Sequence, residues 1–109
     1  MNRTFRLTRR AEDSLVEIAR WTIQNFGSEQ ADFDEAEIID RCEAIARGPT
    51  LSRSCSILVD EAQELQFARA GEHFLVFLDQ ADEAIVVEIL HSRSDIPRHV
   101  GALTTLNGV

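Results

Sequence analysis

Two amphipathic stretches that follow each other almost without a linker constrain this sequence most. In the first, apolar or small residues recur at helical spacing, at Ala11, Leu15, Ile18, Thr22 and Phe26. In the second, the same spacing joins Ala31, Ile38, Cys42 and Ile45. Thr8 and Ser28 are placed to cap the two helices, and Gly27 and Gly48 are placed to end them. Because almost no residues separate the helices, we expect them to run antiparallel as a helical hairpin.

Strand patterns flank the hairpin on both sides. The segment TFRLT (4–8) alternates apolar and polar residues, which predicts a short half-buried strand. The uninterrupted apolar run HFLVFL (73–78) predicts a strand that is covered on both faces. The remaining expectations, in chain order, are a loop over 48–63 with a brief ordered turn at 57–59, a strand at 64–70, a tight turn at 71–72, a polar hairpin loop at 79–84 and a strand at 85–90.

This order of elements predicts the fold class. The succession β-α-α-β-β-β indicates an α+β fold of two layers, in which the helical hairpin packs on a small antiparallel sheet. The length suits a single domain over residues 1–109. We expect its last residues, 103–109, to form a frayed tail.

Charge narrows the functions open to the chain. The formal net charge is −8, which argues against non-specific binding of nucleic acid, because such binding relies on cations that neutralise phosphates; sequence-specific nucleic-acid binding by this chain alone is not expected either. All the basic residues are Arg, and they dominate only the two ends of the chain. If folding brings these ends together, Arg3 and Arg6 would extend a basic patch at the C-terminal end.

Several other kinds of protein are disfavoured. No apolar run approaches the roughly 20 residues of a membrane span, and the N-terminal residues lack the apolar stretch of a secretory signal. Cys42 and Cys55 show neither CxxC spacing nor a grouping with His. We therefore expect a cytoplasmic protein with ordinary buried thiols, no membrane partner, no metal and no other cofactor.

The segment HSRSDIPRH (91–99) concentrates the chemically active side chains. A metal site would need His91, Asp95 and His99 to converge, but Pro97 interrupts the helical spacing between the last two. Cleavage of RNA could use either His as acid or base, with Arg93 stabilising the phosphorane charge. Neither serine is marked as a nucleophile by a base and an orienting group.

Two further interpretations of this segment ask for no catalysis. In one, the arginines form a recognition patch, since Arg suits bidentate binding of carboxylate or phosphate. In the other, Asp95 simply holds Arg93 or caps a short final helix from Ile96 to Leu103, with Pro97 in its first turn. The sequence leaves these alternatives open, and no catalytic residue is assigned.

Three stretches together resemble the ParE-like toxins of the ParE/RelE superfamily, the toxin halves of type II toxin–antitoxin modules. They are RRAEDSLVEIARWTIQNFGSEQA (9–31), LQFARAGEHFLVF (65–77) and VVEILHSRSDIPRHV (86–100). The resemblance spans residues 5–103 and implies the same fold, a helical hairpin on a small antiparallel sheet. It also implies a cytoplasmic toxin that a cognate, ParD-like antitoxin neutralises in a hetero-oligomer.

The resemblance implies a target as well. ParE-type members poison DNA gyrase without catalysis, whereas RelE-type members cut mRNA on the ribosome and are strongly basic. The absence of Lys and Tyr and the net charge of −8 favour gyrase for this chain. A RelE-type endonuclease and a non-toxic homologue that only binds an antitoxin remain the alternatives.

The resemblance and the residue types together suggest which positions bind the target and the antitoxin. Residues that keep the family pattern and could bind the target are Arg69, Arg93, Asp95 and Arg98. The chain departs from that pattern at Gln66, Glu72 and Leu78, where Arg is common in the family, and each change removes a positive charge. Trp21, Phe33 and Ile39 lie off the helical core stripes and are predicted to bind the antitoxin, with a core position as the alternative for Trp21.

Overall fold

A computed structural model describes residues 3–48, 52–60 and 62–107. Its elements in chain order are β1 (Thr4–Leu7), α1 (Arg9–Phe26), α2 (Ser28–Arg47), β2 (Ser52–Ser54), a 3-10 turn (Cys55–Ile57), β3 (Leu65–Ala70), β4 (His73–Asp79), β5 (Glu83–His91) and α3 (Ile96–Asn107). The predicted α+β class and the predicted packing of a helical hairpin on a sheet are confirmed. No helix in the described ranges is both long and apolar enough to cross a membrane.

The helical hairpin forms because one glycine serves both helices. Thr8 caps α1, since its side-chain oxygen accepts a hydrogen bond from the backbone N–H of Ala11 at 3.2 Å. Gly27 ends α1 with φ +93° and also occupies the N-cap position of α2. The prediction that Ser28 caps α2 is therefore wrong: Ser28 is the first helical residue, and no side chain caps this helix.

The five strands form one sheet in the order β1-β5-β4-β3-β2. The β3–β4 and β4–β5 pairs are antiparallel, as expected. Strand β2 also pairs antiparallel with β3, but β1 joins β5 in parallel, so the sheet is mixed. Alternation of side chains marks a strand but carries no information about the direction of its neighbour. Strand β2 lies in the segment that we expected to be a loop, and its three polar residues are too few to show a pattern.

Both faces of the sheet are covered. The hairpin covers one face over a core that consists of Ala11, Ile38, Cys42, Ile45, Ala68, Ala70, Leu75, Phe77, Ala84, Val86 and Ile89. A second core on the other face consists of Cys55, Ala62, Leu65, Val76, Val87, Leu90, Val100 and Leu103. Strand β4 contributes to both, which confirms the prediction from its continuous apolar run.

Three details differ from expectation at the ends of elements. Phe26 lies on the predicted core stripe of α1 but is 67% exposed at the last residue of the helix, where its ring contacts Trp21 instead of the core. Helix α3 continues to Asn107 with Leu103 buried, so the frayed tail predicted from residue 103 is wrong for residues 103–107. Residues 108–109 lie outside the described residues. The loop expected over 79–84 is shorter, since β4 and β5 extend into it.

One carboxylate inside the sheet fixes the position of α1. Glu88 is only 7% exposed, and its Oε1 accepts hydrogen bonds from the Ser14 hydroxyl and from the backbone N–H of Ile89. The Arg10 guanidinium lies 3.8 Å from the other oxygen. A buried carboxylate with several donors ties the two elements it joins. This contact holds the first half of α1 over β5 and thereby aligns its second half with the end of that strand.

Candidate functional site

The loop of residues 92–95 follows β5 directly, and backbone hydrogen bonds hold it in place. The Ser92 N–H donates to the Glu72 carbonyl at 2.8 Å, which ties the loop to the β3–β4 turn. The Arg93 N–H donates to Nδ1 of His91 at 3.0 Å, and the Ser94 N–H donates to the His91 carbonyl at 2.9 Å. The loop is thus shaped by its own main chain and by one imidazole ring.

Asp95 ends this loop as the cap of α3. Its Oδ1 accepts the backbone N–H of Arg98 at 3.2 Å, and its carbonyl accepts that of His99 at 3.1 Å. This confirms the interpretation of Asp95 as a helix cap. Within the described ranges Asp95 makes no ion pair with Arg93, so the alternative in which it holds that side chain is wrong.

The four residues predicted to bind the target lie at one end of the sheet but differ in their environment. Arg93 and Arg98 are exposed, and neither guanidinium makes an ion pair with another residue in the described part of the chain. Arg69 is engaged by its own turn: its Nε donates to the Gly71 carbonyl at 2.7 Å, and Nη2 lies 3.9 Å from the Glu72 carboxylate. Free cationic groups are therefore presented by the 92–95 loop and the start of α3.

The turn between β3 and β4 connects Arg69 to that loop. Gly71 has φ +61°, and the space that a Cβ would occupy is taken by the carboxylate of Glu37, so glycine suits this position. Glu72 contacts both Arg69 and the loop. Its carboxylate lies 3.9 Å from Arg69, and its Oε2 accepts a hydrogen bond from the Ser92 hydroxyl at 3.3 Å. Glu72, at a position where Arg is expected from the family resemblance, places a carboxylate between Arg69 and the loop.

The N-terminal arginines do not join this surface. Arg3 pairs with Asp79 and donates to the Gln80 carbonyl at 3.0 Å, and Arg6 pairs with Glu83 at 3.0 Å. Because β1 runs parallel to β5 and begins beside Glu83, these pairs lie at the end of the sheet opposite to Arg93. The expectation that the two chain ends combine into one basic patch is wrong.

Behind the 92–95 loop is a depression between the sheet end and the helices. We call it the histidine pocket, and it is lined by Trp21, Asp34, Glu72, His73, His91 and Arg93. It comprises two adjoining cavities of about 400 Å³ and 360 Å³. His73 and His91 are paired across β4 and β5, with ring centroids 5.3 Å apart and nearly perpendicular, and the Trp21 ring lies 6.4 Å from that of His91. The sequence analysis did not find this pocket, although a His that opens an apolar run was a signal for it.

Burial of His73 predicts that the stability of the protein is sensitive to acid. Desolvation, and secondarily the neighbouring His91, lower the pKa of His73 below 6.5, against the weaker opposing effect of Asp34 and Glu72. The unfolded chain therefore binds the proton more readily. We expect this group to leave the free energy of unfolding unaffected above the unfolded pKa and to reduce it as the pH falls from about 6.5 towards the lower folded value. Urea unfolding at about pH 7.5 and 5.5 measures this loss.

The matched variants for this test are His73→Gln, which cannot titrate, and His99→Gln, which changes an exposed ring. The loss of stability on acidification should shrink in the first and persist in the second. An equal loss in wild type and His73→Gln would contradict the assignment.

The sequence model of the ParE toxin of the type II toxin–antitoxin system parDE matches residues 5–96. The chain belongs to the ParE toxin family. A sequence comparison with curated proteins finds no match.

Two solved structures share this ParE fold. A chain of the chromosomal ParDE toxin–antitoxin system from P. aeruginosa superposes with a TM-score of 0.68 at 14% identity, covering 83% of this chain and 96% of that one. A chain of the RelBE2 toxin–antitoxin complex from Mycobacterium tuberculosis superposes with a TM-score of 0.61 at 16% identity, covering 84% and 99%. The family match confirms the sequence-based recognition of a ParE-like toxin, and the two superpositions show the same fold.

On this ParE-family scaffold, the residues predicted to bind an antitoxin differ in exposure. Trp21 is 51% exposed and Phe33 is 63% exposed, whereas Ile39 is half-buried. Trp21 is therefore not simply a core residue, and its ring contacts Phe26 and His91. Phe33 makes no ring contact within the described part of the chain. The sequence analysis missed three other exposed apolar residues of α1, which are Val16, Ile23 and Phe26.

The two cysteines of this ParE-family chain are buried, and burial favours the protonated form of their thiols. Among the described residues, no group of three or more His, Cys, Asp or Glu is arranged to hold a metal ion. Burial raises the pKa of the Cys42 thiol to about 12, with a smaller contribution from Glu43, and that of Cys55 to about 11. Because the thiolate is the nucleophile, neither cysteine is reactive at neutral pH.

Proposed function

We propose that this ParE-family chain is a cytoplasmic toxin that inhibits DNA gyrase by binding it, without catalysis, and that a cognate antitoxin neutralises it. The observation that carries this proposal is the 92–95 loop. Its backbone is held by His91 and Asp95, while the guanidinium groups of Arg93 and Arg98 make no ion pair within the described residues. Fixed main chain with free, bidentate donors suits recognition of carboxylates on a protein surface.

Binding is favoured over RNA cleavage because most acid–base candidates are engaged otherwise, and the exposed His99 side chain has no orienting partner within the described residues. His91 uses Nδ1 to accept the Arg93 N–H, His73 is buried, and Asp95 caps a helix. A nuclease of the RelE type would also have to hold a polyanion against a net charge of −8. A RelE-type endonuclease is thus an outcome that experiment can reveal rather than the preferred function.

Glu72 favours a second candidate, a non-toxic homologue that only binds an antitoxin. Its carboxylate stands at the turn beside the loop, where it lies 3.9 Å from Arg69 and accepts the Ser92 hydroxyl. A target that recognises cations at this end of the sheet would find one positive charge fewer on this chain, with a negative carboxylate in its place. Loss of toxicity with retained antitoxin binding would follow.

Three assays separate these functions. Induced expression, with and without the neighbouring antitoxin gene, tests whether growth arrest occurs and is reversed. Purified protein with gyrase and supercoiled DNA tests inhibition, and a ribosome-programmed mRNA tests cleavage. Gyrase inhibition without message cleavage supports the proposal; cleavage that depends on His91 or His99 supports the endonuclease; inactivity in both with tight antitoxin binding supports the non-toxic homologue.

The exposed apolar side chains of the hairpin support an antitoxin partner. The P. aeruginosa and M. tuberculosis structures that share this fold are toxin–antitoxin systems. On this chain, Trp21, Phe33 and the half-buried Ile39 lie on helices whose other face already supplies the core. We infer that an amphipathic segment of the antitoxin packs on them as a helix or strand does in a groove.

We expect Trp21→Ala and Phe33→Ala each to weaken antitoxin binding by about 2 kcal/mol, roughly 30-fold in Kd, because an aromatic anchor buried at an interface contributes about that much. Isothermal titration with the purified antitoxin measures the change. Ile57→Ala is the matched control, since Ile57 is 62% exposed but lies by the second core on the opposite face of the sheet. Unchanged affinity for both aromatic variants in folded protein would place the interface elsewhere.

A further inference from the structure

We propose that the histidine pocket is a receptor for one cationic side chain, an arginine or lysine of the antitoxin. This inference rests on the proposed function for the identity of the partner, but the pocket itself can be tested without that partner. It assigns a binding role to Asp34, Glu72 and His73, which are not among the residues predicted from the sequence to bind a partner.

The buried ring of His73 points to a ligand. Its side chain is among the few buried polar groups, with 4% exposure, and it lines both cavities of the pocket. No hydrogen bond joins its ring to any residue in the described part of the chain, and its contact with His91 is between ring faces and edges. Its ring nitrogens are not among the fully buried atoms that lack a partner, so they reach the space of the pocket, where a donor can bind them.

The protonation state of His73 determines which kind of ligand group its ring can bind. Burial and the neighbouring His91 lower its pKa, so the ring is neutral at physiological pH and offers a nitrogen lone pair. An ammonium or guanidinium group has only donors, which suits that lone pair. An anion would find at most one N–H on this ring.

Charge around the pocket favours a cation in the same way. Three carboxylates line its two cavities, those of Glu17, Asp34 and Glu72. Arg93 is the one Lys or Arg among the described lining residues, so the lining carries three acids against one base and stays net negative. Carboxylates close to a desolvated cation strengthen its binding, while the same groups repel phosphate or carboxylate ligands.

The aromatic wall completes the complementarity. The Trp21 ring packs at an angle against Phe26, with centroids 5.6 Å apart, and stays half exposed towards the pocket. Cations bind the face of Trp better than that of other rings, and Arg does so more often than Lys. The pocket thus combines a π face, acids and a neutral imidazole around a space of side-chain size.

The pocket is tested first on the chain alone with N-acetyl-arginine amide as the probe, in the millimolar range. The matched probes are N-acetyl-citrulline amide, which has the same shape without charge, and N-acetyl-glutamate amide, which is anionic. Trp21 is the one tryptophan of the sequence, so its fluorescence and its indole N–H signal report occupancy. We expect a saturable response to the arginine probe and none of comparable size to the other two.

Variants localise that response. Asp34→Asn combined with Glu72→Gln should weaken binding of the arginine probe by about fivefold or more, whereas Asp60→Asn, an exposed acid outside the pocket, should not change it. Equal responses to arginine and citrulline, a preference for glutamate, or no saturable change over the millimolar range would each overturn the cationic pocket.

The antitoxin arm tests the occupant. If the proposal is right, the double variant Asp34→Asn, Glu72→Gln also binds the antitoxin more weakly, by about fivefold or more. Replacing one particular Arg or Lys of the antitoxin by Gln should then weaken binding to the wild-type chain but have no additional effect on the double variant. Unchanged antitoxin affinity, together with probe binding, would overturn the antitoxin as occupant while leaving the proposed function intact. Wild-type protein that binds no antitoxin would instead overturn the proposed function, and the pocket would then be judged on the probe alone.

Discussion

Arg93→Ala and Arg98→Ala are each expected to abolish growth arrest and gyrase inhibition while leaving the fold intact, and Arg98→Ala, which lies outside the histidine pocket, should also leave antitoxin binding largely intact. Both guanidinium groups are exposed and unpaired within the described residues, so they are available to a target. Truncating a charge-assisted contact that is buried at an interface costs about 2–5 kcal/mol, which is about 30-fold or more in affinity. Titration of gyrase supercoiling activity with purified variants measures this loss.

The geometry of the loop makes these substitutions informative. Arg93 donates its backbone N–H to His91, and Arg98 donates its backbone N–H to Asp95. Both bonds survive removal of the side chain, so the loop and the start of α3 should keep their shape. A circular dichroism spectrum and an unfolding midpoint equal to those of wild type would verify this, and full gyrase inhibition by both variants would exclude the loop as the target-binding surface.

His99→Ala is the appropriate control, because His99 is exposed and its side chain makes no hydrogen bond within the described ranges. His91 differs from His99, because the imidazole of His91 accepts the Arg93 N–H and contacts the rings of His73 and Trp21. We therefore expect His91→Ala to weaken target binding indirectly by loosening the loop.

Phe77→Ala is expected to destabilise the fold by about 3–5 kcal/mol, which is a large part of the 5–15 kcal/mol that a domain of this size typically has. Phe77 is fully buried on β4, beneath the helical hairpin, between its strand neighbours Gln66 and Val86. Removing the ring leaves a cavity in a sheet that is packed on both faces and cannot collapse easily. The midpoint of urea unfolding measures the loss.

The same chemical change at an exposed position provides the control. Phe33 is 63% exposed on α2, and Phe33→Ala should alter stability by no more than about 0.5 kcal/mol. The pair of variants separates a packing role from a binding role, because Phe33→Ala is expected to reduce antitoxin affinity instead. A small effect of Phe77→Ala would mean that this core is not the one that stabilises the protein.

Local patterns were enough to predict most of the elements. The helical spacing in α1 and α2 and the position of Gly27 predicted the hairpin, because these signals depend on residues within a few turns of one another. The apolar run of β4 predicted burial on both faces for the same reason. The cap at Ser28 was wrong because Gly27 alone makes the turn and leaves no residue between the helices to cap the second one.

The candidate site was predicted only in part. The segment 91–99 was identified from its residue types, and Asp95 was weighed as a cap, since its partner Arg98 lies three residues along the chain. His73 and Glu88 were not assigned a role, because each looks like a single polar residue beside or within an apolar run. Their partners, His91 and Ser14, come from other elements.

The sequence by itself therefore determined the helical hairpin, the antiparallel meander of β3, β4 and β5, the α+β class and the recognition of a ParE-like toxin, all of which depend on short-range spacing and recognisable motifs; it did not reveal β2. The tertiary structure decided that the two basic ends of the chain lie apart. Parallel pairing of β1 with β5 sends Arg3 and Arg6 to one end of the sheet, where they meet Asp79 and Glu83, and leaves Arg93 at the other. Strand direction and the neighbours of a loop depend on contacts between residues far apart in the chain, and no local pattern records them.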